Sequence, residues 1–233
     1  MERAVKWQMI QENPCRRIDA PKVDRHDVDC MNDVEAVHFL ECLEEETLEY
    51  RTIFTLLLLT GMRRGELLGL EWPDVDFTTG IISIRRTSQY TAKKGIFTDT
   101  TKTESSKRSV RVSVEMLDLL QEYQAWQNER RVKLGDRWQE CGRLFTQWDG
   151  RPMSLNTPYL MLQKVLERHG LRKVSLHSLR HTNATLMIMK GNDVRTVAGR
   201  LGHSQTSTTM NIYAHSTREA KRSSARLLDK VVG

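Results

Sequence analysis

The sequence predicts a mainly α fold carrying a small antiparallel β-sheet, an α+β architecture. Three observations carry that expectation. Apolar residues recur at helical spacing between residues 32 and 60 and again beyond 113. Between those stretches, "GIISIRR" and "RSVRVSV" switch to β-branched residues that alternate with polar ones. The order is helices, strands, helices, with no βαβ alternation and no internal repeat, which argues for a mainly α domain with an inserted sheet and against a Rossmann-like fold.

Each element follows from local signals. Residues 1–10 can form a short helix, which runs into "NPCRRIDAPK", where Pro14 and Pro21 break regular structure and mark a linker. Asn32 with Glu35 is a capping-box pattern, and Val34, Val37, Leu40 and Leu43 follow at helical spacing. Ile53, Phe54 and Leu56 to Leu59 read as a buried helix that Thr60 and Gly61 end, and Arg63 and Arg64 open the next, with Glu66 one turn on. The runs at 80–86 and 108–114 predict two antiparallel strands, with 87–107 as a turn region and a third strand near Ile96 to Thr98. Ser113 caps a long helix through Leu117, Leu120 and Trp126 that ends by Gly135. Further helices start near Ser154, Leu176 and Asp193, with Gly170 and Gly191 just past helix ends.

A chain of 233 residues is long enough for one large domain with a core and a short extra piece. A hydrophobic content of 39% and a mean hydropathy of −0.53 fit a soluble globular protein. The longest apolar run, Ile53 to Leu59, is interrupted by Thr55 and is too short to span a bilayer. Residues 1–10 mix acidic and basic side chains and lack the apolar stretch of a signal peptide. The cysteines, Cys15, Cys30, Cys42 and Cys141, are scattered without a C-x-x-C pair, so neither a zinc site nor a disulfide framework is expected, and a reducing, intracellular setting is.

Net charge is +6 and is unevenly placed. Between Arg85 and Arg111 stand eight basic residues and two acidic ones, a surplus equal to that of the whole chain. A local basic stripe is the footprint expected for a polyanion partner, although a solvated charged hairpin has the same composition.

Three clusters carry candidate chemistry. In "LTGMRRGELLGL" a turn between helices can hold the Arg63 guanidinium for phosphate, or pair it with Glu66. In "SLHSLRHT", His177 and Arg180 share a helix face, as do His177 and His181. The glutamate of a zinc protease is absent there, and Arg180 would put a cation beside a metal, so the set suits the nonbridging oxygens of a phosphate better. In "RLGHSQTSTTMNIYAHS", Tyr213 follows His203 by ten residues; alone, it reads as a packing aromatic.

Taken together, T-G-x-R-x-x-E, a lysine in a basic hairpin, H-x-x-R, L-G-H and a later tyrosine resemble the catalytic domain of the tyrosine recombinase, or phage integrase, family. The resemblance covers residue 32 to the C-terminus, and the joint pattern is specific where each part is not. "AVKWQMIQENPCRRIDAPK" is similar to the end of that family's core-binding domain and linker. Residues 1–30 are thus expected to be that helix end and linker, and 31–233 the catalytic domain with a tail helix at about 216–233. The chain would then be a catalytic fragment or a truncated product.

The resemblance implies the DNA breaking-rejoining fold and a site-specific recombinase or integrase acting on double-stranded DNA through a 3′-phosphotyrosyl intermediate. It assigns Tyr213 as nucleophile, Arg63 and Arg180 as the family arginines, His177 and His203 as the histidines, and Lys102 as the hairpin lysine. Lys93, Lys94 and Lys107 share that loop region with Lys102. No cofactor and no metal enter the scheme. It also implies self-association on DNA, as dimer or tetramer, through the tail, although back-packing of the tail on its own chain is equally open. A DNA-associated protein in the cytoplasm of a prokaryotic cell is expected.

Elementary chemistry agrees with these roles. Guanidiniums stabilise the charge that gathers on a phosphodiester under attack. A phenol with an ordinary pKa of about 10 needs a base, for which His177 is the candidate. Lys102 can protonate the departing 5′-oxygen. Two other readings share the fold: a DNA-binding regulator without the chemistry, which would have no use for Tyr213, and a type IB topoisomerase, which the L-G-H motif and the tail fit less well.

Overall fold

A computed structural model of the chain describes residues 1–18, 29–100, 107–202 and 210. Its elements follow the expected order. A short α1 (Glu2–Lys6) precedes α2 (Asp33–Glu44), α3 (Leu48–Thr60) and α4 (Arg64–Leu67). Strands β1 (Val75–Asp76), β2 (Ile81–Ile84), β3 (Arg86–Thr91), β4 (Gly95–Thr100) and β5 (Arg108–Arg111) come next among the described residues. Helices α5 (Val114–Leu134), α6 (Thr157–Arg168), α7 (Leu176–Met189) and α8 (Val194–Leu201) follow among the described residues.

Asn32 and Glu35 cap α2 reciprocally, at 2.8 and 2.9 Å. The face that α2 buries is only partly the expected one, since Leu43 is in the core and Leu40 packs against it, but Val34 and Val37 turn outward. Ala36, Phe39 and Leu43 are buried, while Val34 and Val37 are 72% and 57% exposed. Phe39 decides the rotation, because its ring packs against Phe54 of α3 with centroids 6.4 Å apart. Helix α3 lies at the centre of the core, with Ile53, Phe54, Leu56, Leu57 and Leu58 all buried. Its buried threonines are satisfied internally, Thr52 donating to the Leu48 carbonyl and Thr60 to the Leu56 carbonyl at 2.7 and 2.5 Å. Gly61 then turns left-handed at φ 61° and stops the helix.

The two expected strands pair antiparallel in β2 and β5, with Ile82 opposite Val110, and β1 joins the other edge of β2. The region expected to be a turn is largely a second antiparallel pair, β3 with β4, and β4 contains the strand anticipated near Ile96. Strand β3, "RTSQYT", escaped notice because it has almost no apolar alternation, and its most buried member is Ser88.

Ser113 caps α5 and Gly135 ends it. Helix α6 begins at Thr157, later than expected, because Pro158 sets the first turn and Ser154 closes the turn before it, its carbonyl accepting from Thr157 N at 3.0 Å. Ser175 caps α7 and Asp193 caps α8.

One face of α7 is covered by residues 29–31. Ser178 Oγ donates to Asp29 Oδ2 at 2.8 Å, and Met31 N donates to Thr182 Oγ1 at 2.8 Å. His177 and Arg180 lie off that face, toward α4 and α8. Among the described residues, no helix is long and apolar enough to cross a membrane.

Candidate active site

Three arginines from three elements meet at the C-terminal end of α8. Arg63 precedes α4, Arg108 opens β5 and Arg180 lies on α7. Each donates to one of three successive carbonyls. Arg108 Nε reaches Arg200 O at 2.7 Å, Arg180 Nη2 reaches Leu201 O at 2.7 Å, and Arg63 Nη2 reaches Gly202 O at 2.8 Å. The last carbonyls of a helix have no intrahelical partner and carry its negative dipole end, so they suit cations. Gly202 has φ 66°, and a Cβ there would meet Arg108 Nη1 at 2.9 Å, so close approach of the arginine requires glycine.

Glu66 neutralises part of this charge. Its carboxylate accepts Arg108 Nη1 and Nη2 at 3.0 and 2.7 Å, Arg63 Nη1 at 2.8 Å and the Arg63 backbone N–H at 2.8 Å. Burial alone would raise its pKa, but the bonds from Arg108 and Arg63 outweigh it and hold the group ionised. The pairing of Arg63 with Glu66 expected from the sequence is therefore present, and it leaves Arg63 41% exposed for other work.

Arg180 is 2% exposed. Its Nη1 donates to Gly61 O at 2.6 Å, while its Nε is buried with no partner among the described residues. Burial first, then Arg63, push its pKa down to about 9, which still leaves it charged at neutral pH. His177 is pushed below the ordinary imidazole value by burial, Arg180 and Arg63, which favours the neutral base. Among the described residues, three guanidiniums thus face one carboxylate, and an anion is the partner that would relieve the excess.

The arginine cluster opens on a cavity of about 420 Å³ lined by residues including Arg63, Arg64, Tyr159, Ser175, His177 and Arg180. The structure brings Arg63, His177 and Arg180 of the expected set to this one cavity. Lys102, His203 and Tyr213, with the tail at 216–233, lie outside the described residues. The sequence reading missed the part played by Arg108, which counted there only as one charge in the basic stripe. No local pattern marked it, because its partners Glu66 and Arg200 stand 42 and 92 residues away along the chain.

Arginines gathered around one carboxylate among the described residues, with an imidazole beside them over an open cavity, make an arrangement whose chemistry suits a phosphate-like oxyanion. The chain belongs to the phage integrase family, whose sequence profile matches residues 30–220.

Among its relatives is the ICEBs1 integrase of Bacillus subtilis, 27% identical over 229 residues, which are 98% of this chain and 62% of that protein. The XerC-like tyrosine recombinase of Caldanaerobacter subterraneus is 29% identical over 243 residues, 97% of this chain and 62% of that one. The chain therefore spans less than two thirds of the length of these relatives. Among solved structures, the Tn1549 transposon integrase in complex with transposon right end DNA superposes with a TM-score of 0.72 at 22% identity, covering 98% of this chain and 75% of that one. The XerA recombinase does so at 0.65 and 24%, covering 88% and 66%. The fold is that of tyrosine recombinase catalytic domains.

Proposed function

We propose that the chain is the catalytic part of a site-specific DNA recombinase, which cuts and rejoins double-stranded DNA for the integration or excision of a mobile element. Residues 31–233 carry the chemistry, and residues 1–30 are the end of a preceding DNA-clamping module with its linker. The observation that supports this reading best is the surplus of guanidinium charge around Glu66 among the described residues, with Arg180 Nε unpartnered among them beside an open cavity.

In this mechanism a DNA phosphate sits over Arg63 and Arg180, which stabilise the charge that builds on its nonbridging oxygens. The phenolic oxygen of Tyr213 attacks phosphorus while His177, held neutral, accepts the phenol proton. The bond to the 5′-oxygen breaks, and Lys102 gives that oxygen its proton. A 3′-phosphotyrosyl link results, supported by a hydrogen bond from His203. Attack by a 5′-hydroxyl of another strand reverses the step, so rejoining consumes no nucleotide and needs no metal. Self-association on DNA through residues 216–233 would bring the strands together.

A nicked suicide duplex carrying the ends of the mobile element tests the reading. A covalent protein–DNA band is expected, and Tyr213→Phe abolishes it. A chain that protects the duplex from nuclease yet never forms the band would instead be a DNA-binding regulator.

A further inference from the structure

The guanidiniums at the floor of the cavity are each partly committed to protein partners. Arg180 holds Gly61 O and Leu201 O, and Arg63 holds Glu66 and Gly202 O. Arg64 differs from both. It lines the same cavity, is exposed, and has no hydrogen bond or ion pair from its side chain among the described residues.

Its backbone, by contrast, is held on both sides. The preceding Arg63 N–H is bonded to Glu66. The following Gly65 lies so close to β3 that an added Cβ would meet Thr87 Oγ1 at 2.5 Å and Ser88 O at 2.9 Å. Arg64 is therefore a free cation on a fixed support at the rim of an oxyanion site. Such an arrangement loses little order on binding, because only the side chain has to settle.

The cavity, at about 420 Å³, is not filled by one phosphate group. Consecutive Cα atoms stand about 3.8 Å apart, and the Arg64 side chain is not drawn inward as that of Arg63 is, so the two guanidiniums can serve neighbouring groups on one strand. We propose that Arg64 binds a second phosphate of the DNA backbone, next to the one held over Arg63 and Arg180. The proposal rests on the DNA reading above. Arg64 makes and breaks no bond in this role; it adds one charge-assisted contact that fixes the register of the strand over the site.

Fluorescence anisotropy of the full chain on a labelled random-sequence duplex, over a salt series, tests it. Arg64→Gln should weaken binding and make the slope of log K against log salt shallower by about 1. Arg64→Lys should keep the wild-type slope, which separates loss of charge from loss of fold. Lys133→Gln, a control at a side chain 78% exposed on the last turn of α5, should match the wild type. A wild-type slope in Arg64→Gln, or an equal loss in the Lys133 control, overturns the assignment while leaving the DNA reading intact. Failure of the wild-type chain to bind the duplex overturns both.

Discussion

Glu66 and Arg108 form a two-point pair at 3.0 and 2.7 Å, with side chains only 4% and 6% exposed. The pair ties the short helix after Arg63 to the first residue of β5. Through the third bond of the same carboxylate, it also fixes Arg63 at the cavity.

Glu66→Gln should be costly for that reason. Removing one partner of a buried ion pair typically costs about 3–5 kcal/mol, because the remaining charges are left uncompensated. Urea unfolding should show a loss of about 3 kcal/mol or more, with Arg63 released from its anchor. A midpoint unchanged from wild type would contradict the central place given to this carboxylate.

The stability of the chain should depend on pH through His181. Its ring packs edge-on against that of His177, centroids 4.5 Å apart, and burial, then His177 and Arg180, push its pKa down to about 4. An unfolded imidazole titrates near about 6.5. Above that pH both states are neutral and the group contributes nothing. As pH falls from about 6.5 toward 4 the unfolded chain takes up a proton that the folded one resists, so stability declines. His181→Phe should flatten the decline by about 1–2 kcal/mol, allowing for partial exposure of the ring. Melting curves across that window give the comparison, and parallel profiles for the two proteins would rule the effect out.

Gly61→Ala should destabilise the chain and disturb Arg180 together. The residue sits at φ 61°, and a Cβ would collide with Leu201 and come within 2.8 Å of Asn183 Oδ1. Left-handed strain of about 1–2 kcal/mol adds to overpacking of about 1–3 kcal/mol. The carbonyl of Gly61 holds Arg180 Nη1, so under the recombinase reading the yield of covalent protein–DNA band should fall by more than the loss of folded protein accounts for.

Thr182→Val tests the attachment of residues 29–31 to α7. The substitution keeps the shape but removes the oxygen that accepts the Met31 N–H. A buried N–H left unsatisfied costs about 1–3 kcal/mol. Hydrogen exchange at the Met31 amide should speed up well beyond that of α3, and equal protection in the variant would show that another group satisfies it.

Much of the fold was legible because its signals are local. Asn32 with Glu35, Ser113 and Asp193 announce helix starts, since the side chains of Asn32, Ser113 and Asp193 each accept from the amide three residues on. Gly61, Gly135, Gly170 and Gly191 announce stops, and all have positive φ. Where two helical stripes compete, as on α2, the sequence could not choose between Val34 and Phe39, because the choice depends on the ring of Phe54 across the interface. Strand β3 was illegible because its pairing with β4 uses backbone groups that leave no apolar trace in "RTSQYT".

By itself the sequence determined the helical frame with its inserted sheet, the family, and the presence of Arg63, His177 and Arg180 in a recognisable order. Tertiary structure alone decided that Arg200, Leu201 and Gly202 turn successive carbonyls to Arg108, Arg180 and Arg63. The arginines and their acceptors lie between 21 and 139 residues apart along the chain. Every residue offers the same carbonyl, so no side chain marks which ones will accept. Only the packing of α8 against α7 and β5 selects them.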